Sequence, residues 1–149
     1  MSAELLVERF RRFLLSLAGL ICAATIVELA LIKHVGDPIQ WIPFGLCGLG
    51  VIVIGWVLYR PQRSTLRVMQ GVMGLLVIGT LLGMYEHIES NLEVVRETQA
   101  HAATSTFIIK TLGGAAPLLA PGMLAFAAIL ALAATYYHPT LATKTIQNS

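Results

Sequence analysis

Four uninterrupted apolar runs, Phe13–Ile32, Ile42–Tyr59, Val68–Tyr85 and Pro117–Tyr137, constrain this chain more than any other feature. The last three carry no charged side chain, and the first carries only Glu28. As helices, runs of 18 to 21 residues rise about 27–32 Å, close to the thickness of a hydrocarbon core. Lipid offers no partner for a backbone N–H or C=O, so a spanning segment must satisfy its own backbone, and a helix does so. The runs do not alternate apolar with polar residues, which argues against a barrel. The expected fold is therefore an all-α integral membrane domain over residues 1–149, with four transmembrane helices in an antiparallel bundle. Composition agrees: 56% of residues are hydrophobic and 12% are charged, about half the charge of a soluble domain.

The links between the runs set an orientation. Arg9, Arg11 and Arg12 precede the first run, Arg60, Arg63 and Arg67 lie between the second and third, and Lys144 follows the fourth. Lys33, Arg96 and Lys110 fall on the other side. The positive-inside rule then puts both termini in the cytoplasm. Aromatic residues fit interfacial belts, with Trp41 and Tyr85 outside and Trp56, Tyr59, Tyr136 and Tyr137 inside. The first run follows a basic cluster, as in an export signal, but its 20 residues exceed a signal core, so a retained span is expected.

Residues 1–12 read as an amphipathic lead-in on the membrane surface, capped by Ser2 and supported by the Glu8–Arg12 spacing. Gly36-Asp37-Pro38 marks a turn, and Pro61 ends the second helix. Residues 86–116 form the one sizeable outer segment, and its first half lacks Gly and Pro. The third helix should therefore continue beyond the outer membrane face to about His101. The mildly apolar Thr104–Thr111 stretch would lie along the membrane, Pro117 and Pro121 would mark the fourth helix start, and 138–149 would be a tail. Gly79 and Gly83 make a GxxxG, and Gly45, Gly48 and Gly55 thin one face of the second helix. Such glycines favour close helix packing, first within the bundle and otherwise at a dimer seam. Cys22 and Cys47 lie in apolar runs and fit helix packing, with no CxxC pair.

Glu28 is the one ionisable side chain within a run. It sits four residues from the outer end, about 6 Å deep. It suits a structural or interfacial role, hydrogen-bonded by Thr25, or the handling of a proton or cation. Outside, Glu86, Glu89, Glu93 and Glu97 fall within an arc of about 80° on one helix face. His101 continues this stripe, and Arg96 offsets one charge. The stripe is either a solvated acidic face or a binding surface. In the second case Glu93, Glu97 and His101 suit docking of a basic partner. His34 and Asp37 in the first outer link could join Glu86, His87 and Glu89 around a divalent cation, since mixed imidazole and carboxylate ligands suit transition metals, with Asn91 behind them. Haem is disfavoured, because both histidines lie at run ends, outside an apolar slot. Ser16 and Ser64 have no histidine nearby, Gly113-Gly114 is not a phosphate loop, and the dispersed basic residues give no nucleic-acid surface.

Several pieces carry a family likeness: Glu28-Leu29, His34, Asp37-Pro38, Gln40, Ile42-Pro43, Tyr85-Glu86-His87, Asn91-Leu92-Glu93, Ala116-Pro117, Ala120-Pro121-Gly122 and Tyr137-His138-Pro139. In these the chain resembles a family of small bacterial four-span membrane proteins with no assigned activity. The resemblance touches most of the chain after residue 28. It implies a bacterial inner membrane and an interest in the outer polar residues, and nothing about a substrate. The chain size and a Glu in the first span also resemble small multidrug transporters. Those chains are shorter, lack an outer segment and hold their Glu nearer mid-membrane, so their function is not carried across. The expected function is a non-enzymatic accessory or interaction subunit whose outer acidic and histidine cluster contacts a cation or a partner protein. The alternative is a small oligomeric transporter using Glu28, and an intramembrane enzyme ranks third. The expected partners are the lipid bilayer and a membrane-protein complex or homo-oligomer.

Overall fold

The computed structural model describes residues 2–33, 36, 38–98, 104–114 and 119–142, with no side-chain detail for 119 and 120. The described residues are helical and contain no strand. The helices are α1 (Ala3–Leu31), α2 (Trp41–Tyr59, entered through a 3-10 turn at Pro38–Gln40), α3 (Arg63–Thr98), α4 (Thr104–Leu112), α5 (Leu119–Ala134) and the short α6 (Pro139–Ala142).

Local chemistry explains where each helix starts and stops. Ser2 caps α1, its Oγ accepting from the Leu5 N–H at 3.4 Å. No Gly or Pro interrupts the chain until Gly19, and Glu8 pairs with Arg12 at 3.1 Å one turn on. Nothing therefore separates a lead-in from the first apolar run. The expected surface helix over 1–12 is instead the first third of a continuous 29-residue helix. Lys33, with φ 52°, turns the chain after it. Pro61 separates α2 from α3 as expected. Thr65 fastens the link, its hydroxyl donating to the carbonyls of Arg60 and Gln62, each at 2.8 Å.

α3 runs unbroken for 36 residues, a rise of about 54 Å. That is some 24 Å more than the thickness of a hydrocarbon core, about 30 Å. Pro121 falls in the first turn of α5, where its missing N–H breaks no helical bond. Pro117 lies outside the described residues. The fourth apolar run yields a shorter helix than expected, 16 residues ending at Ala134. A turn at Thr135–Tyr137 closes it, with Thr135 Oγ donating to Leu132 O at 2.7 Å and Tyr137 at φ 46°.

α1 packs on α2 and α5, and α3 packs on the same two helices, so the four enclose one core. Its centre is Cys22, Cys47, Ile54, Met69, Met73, Leu76, Ala127, Ala128 and Ala131. Small residues permit the close approach. Gly50 meets Cys22 Sγ and the Met73 and Leu76 side chains, and a Cβ on Gly79 would overlap Leu46. Gly83 lies against Pro121 of α5. Both members of the GxxxG thus face neighbours in the same chain, and both cysteines are buried packing residues. Three helices, α1, α2 with its entry turn, and α3, are long and apolar enough to cross a membrane. They carry apolar side chains outward as well as inward: Leu20, Val27, Ile52, Leu75, Ile78 and Leu81 are all exposed. Water would penalise such a surface and lipid does not, as befits a helical membrane protein.

Candidate functional site

The C-terminal half of α3 has two unlike faces. Glu86, Glu89, Glu93 and Glu97 are exposed, as their spacing implies. Asn91 and Val95, on the opposite face, are 2% and 4% exposed. α4 supplies the cover. Its Thr111 is buried, with its hydroxyl on the Phe107 carbonyl at 2.9 Å, and Gly114 beyond its end lies against the Asn91 amide. Position 114 requires glycine, because a Cβ would collide with Asn91 and with the Lys110 carbonyl. α4 therefore packs on α3 and acts as a buttress, with Ile108, Ile109 and Leu112 left outward. An open cavity of about 310 Å³ runs between the two helices, past Asn91, Thr98 and Lys110.

Of the expected cation cluster, the described members do not converge. Glu86 and Glu89 are exposed, whereas His87 turns about 100° from Glu86 toward the packed side, with its Nδ1 buried and without a hydrogen-bond partner. Among the described residues no three His, Cys, Asp or Glu side chains are grouped to hold a metal ion. His34 and Asp37, and His101 at the end of the stripe, lie outside the described residues.

Glu28 is exposed on the flank of α1, not enclosed by the bundle. Thr25 does not bond it, because the Thr25 hydroxyl donates to the Ile21 carbonyl at 2.9 Å. That i−4 bond is a helical threonine's nearest acceptor and takes the proton first. On α2, Gly45, Gly48 and Gly55 meet nothing within 4 Å, so the thin face points away from the bundle.

Sequence reading passed over a polar cluster at the opposite end. There the start of α1, the α2–α3 link and the end of α5 meet around one small cleft. Arg11 Nη2 donates to the carbonyls of Tyr136 and Tyr137 at 3.2 and 3.0 Å, satisfying two groups left over where α5 stops. Gln70 of α3 donates to Thr135 Oγ at 3.0 Å. His138 is buried, and its Nδ1 accepts from the Thr140 N–H at 3.3 Å. Burial, then the nearby Arg11 charge, pull the His138 pKa below its ordinary value, partly opposed by Glu8. The signal for this cluster was present in Tyr136-Tyr137-His138, polar-tipped residues closing an apolar run. Arg11 sits 125 residues from Tyr136 and Gln70 sits 65 from Thr135, beyond the reach of periodicity.

No family model, curated protein or solved structure matches the chain.

Proposed function

We propose that the chain is a non-enzymatic membrane interaction subunit whose α3 projection presents an acidic face to a basic surface on a partner protein. The observation that carries this reading is the pairing of an exposed carboxylate stripe with a buttressed back. Glu86, Glu89, Glu93 and Glu97 face outward while Asn91 and Val95 are packed away. A stripe on a braced helix loses little conformational freedom on docking. Its negative potential speeds encounter with a basic surface. A protein partner is favoured over a cation because the described carboxylates do not converge. In this reading the protein lies in a bacterial inner membrane with four antiparallel spans, both termini in the cytoplasm and the stripe outside. α5 is the short fourth span.

A photo-crosslinking residue placed at Glu89 or Glu93 in cells should give one discrete adduct. Glu86→Lys/Glu97→Lys in the same chain should abolish it. Absence of any discrete adduct at both positions overturns the docking role.

A second reading, a small oligomeric transporter using Glu28, draws on the open glycine face of α2 and the outward Glu28. In this reading both face a second copy. Oligomeric state in mild detergent tests it, and a monomer at all protein concentrations rules it out.

A further inference from the structure

We propose that Thr135–Ala142 is an acid-released latch, in which the neutral His138 ring caps α6 and holds it on the bundle, and protonation of that ring sets α6 free. The cap is local. His138 precedes Pro139, the first residue of α6, and its Nδ1 accepts from the Thr140 N–H at 3.3 Å. An N-cap side chain makes this bond, and Pro139 suits the first helical position because its missing N–H needs no partner. Only a neutral ring can serve. With Nδ1 accepting, the single ring proton sits on Nε2. A second proton would go to Nδ1 and set a donor against the Thr140 donor.

The surroundings oppose a charged ring as well. His138 is buried. Among the residues lining the cleft around it, the charged ones are Glu8, Arg11 and Arg12 of α1. The α2–α3 link, α3 and α5 line it with uncharged residues only. Arg11 repels a positive ring, Glu8 attracts it, and Glu8 is already paired with Arg12 at 3.1 Å. A positive ring would also meet the first turn of α6, whose unpaired N–H groups carry partial positive charge.

The latch has something to release. Tyr137 holds φ 46°, a left-handed conformation that is costly for a residue with a Cβ. Arg11 holds this turn through the Tyr136 and Tyr137 carbonyls, Gln70 holds Thr135, and Leu141 of α6 packs against the core. The Arg11 clamp and the α6 cap meet at His138. Protonation sets the ring against Arg11 and removes the cap, so the strained turn loses support on both sides together. Burial and Arg11 place the folded pKa below the ordinary 6.5, so the latch is closed at neutral pH and opens as pH falls through that lowered value.

The test uses the full chain in mild detergent. The exposed Ala142 is replaced by cysteine and carries a nitroxide, while Cys22 and Cys47 are buried. Electron paramagnetic resonance reads the mobility of the label between about pH 7.5 and 5, with circular dichroism in parallel. The label should be held at the upper pH and mobile at the lower, with a midpoint below 6.5 and the long helices intact. His138→Asn keeps an acceptor at the cap and does not titrate, so its label should stay held throughout. His138→Ala has no acceptor, and its label should be mobile throughout. Equal mobility at both ends of the range in the parent overturns the proposal. So does an unchanged transition in His138→Asn, which would assign it to other groups. A general loss of helix content at the lower pH would also overturn it, because the change would then be ordinary acid unfolding. Should His138→Ala fail to fold, the comparison of the parent with His138→Asn decides alone.

Discussion

Gly79 of α3 and Leu46 of α2 are packed so closely that a β-carbon on residue 79 would overlap the Leu46 side chain. Gly79→Ala must shift the Cδ1 end of the half-buried Leu46 side chain, a flexible tip, so the melting temperature should fall modestly, by roughly 1 kcal/mol or less. Gly83→Ala meets Pro121 at an ordinary contact distance, 3.6 Å, and should be tolerated. Thermal unfolding of the two variants side by side checks the contrast.

Gly45 and Gly48 behave differently because open space faces them. Leucine at both positions should leave the folded monomer intact, since no neighbour is displaced. If copies associate through this face, the same pair should reduce the oligomer. Size measured by light scattering in detergent reports both effects.

Glu28 is exposed and lacks its expected Thr25 partner. Glu28→Gln should leave the melting temperature within roughly 0.5 kcal/mol of the parent, as for a surface change. A large loss of stability would show an interaction that is absent from this structure. Loss of a proton or cation flux in liposomes without loss of stability would favour the transporter reading.

His138 gives a pH dependence of defined sign. Its pKa is lowered in the folded state from 6.5, so the unfolded chain binds the proton first as pH falls. The stability linked to it is complete above about pH 6.5 and declines as pH drops below that value toward the lowered pKa. The melting temperature should fall between about pH 7 and 5, and His138→Gln should flatten this part of the curve. An unchanged slope in the variant would assign the effect to other groups.

How much of this was legible in the sequence differs by element. α2 and the apolar part of α3 were readable because lipid imposes one requirement, a long apolar run, and both runs meet it. The continuation of α3 to Thr98 followed from the absence of Gly and Pro after Gly83. The Ser2 cap and the Glu8–Arg12 pair of α1 were readable, but its continuity was not, since a change from polar to apolar composition at Phe13 alters the solvent and not the helix. The early end of α5 depends on Arg11 and Gln70 holding Thr135–Tyr137, contacts that no local pattern encodes. The acidic stripe was visible as a spacing. Its solvent exposure required knowing where α4 packs, and only a structure supplies that. The arginine cleft joins three distant segments and was not legible at all.

Cysteine accessibility along α3 tests most directly that one helix passes from lipid into water. Single cysteines replace Leu75, Ile78, Glu89 and Glu93, while Cys22 and Cys47 are buried and should stay unreactive. Intact cells are treated with a membrane-impermeant maleimide. The expected result is rapid labelling at Glu89→Cys and Glu93→Cys and none at Leu75→Cys or Ile78→Cys. Labelling of Leu75→Cys as fast as Glu93→Cys would contradict a membrane-spanning α3 with an acidic projection.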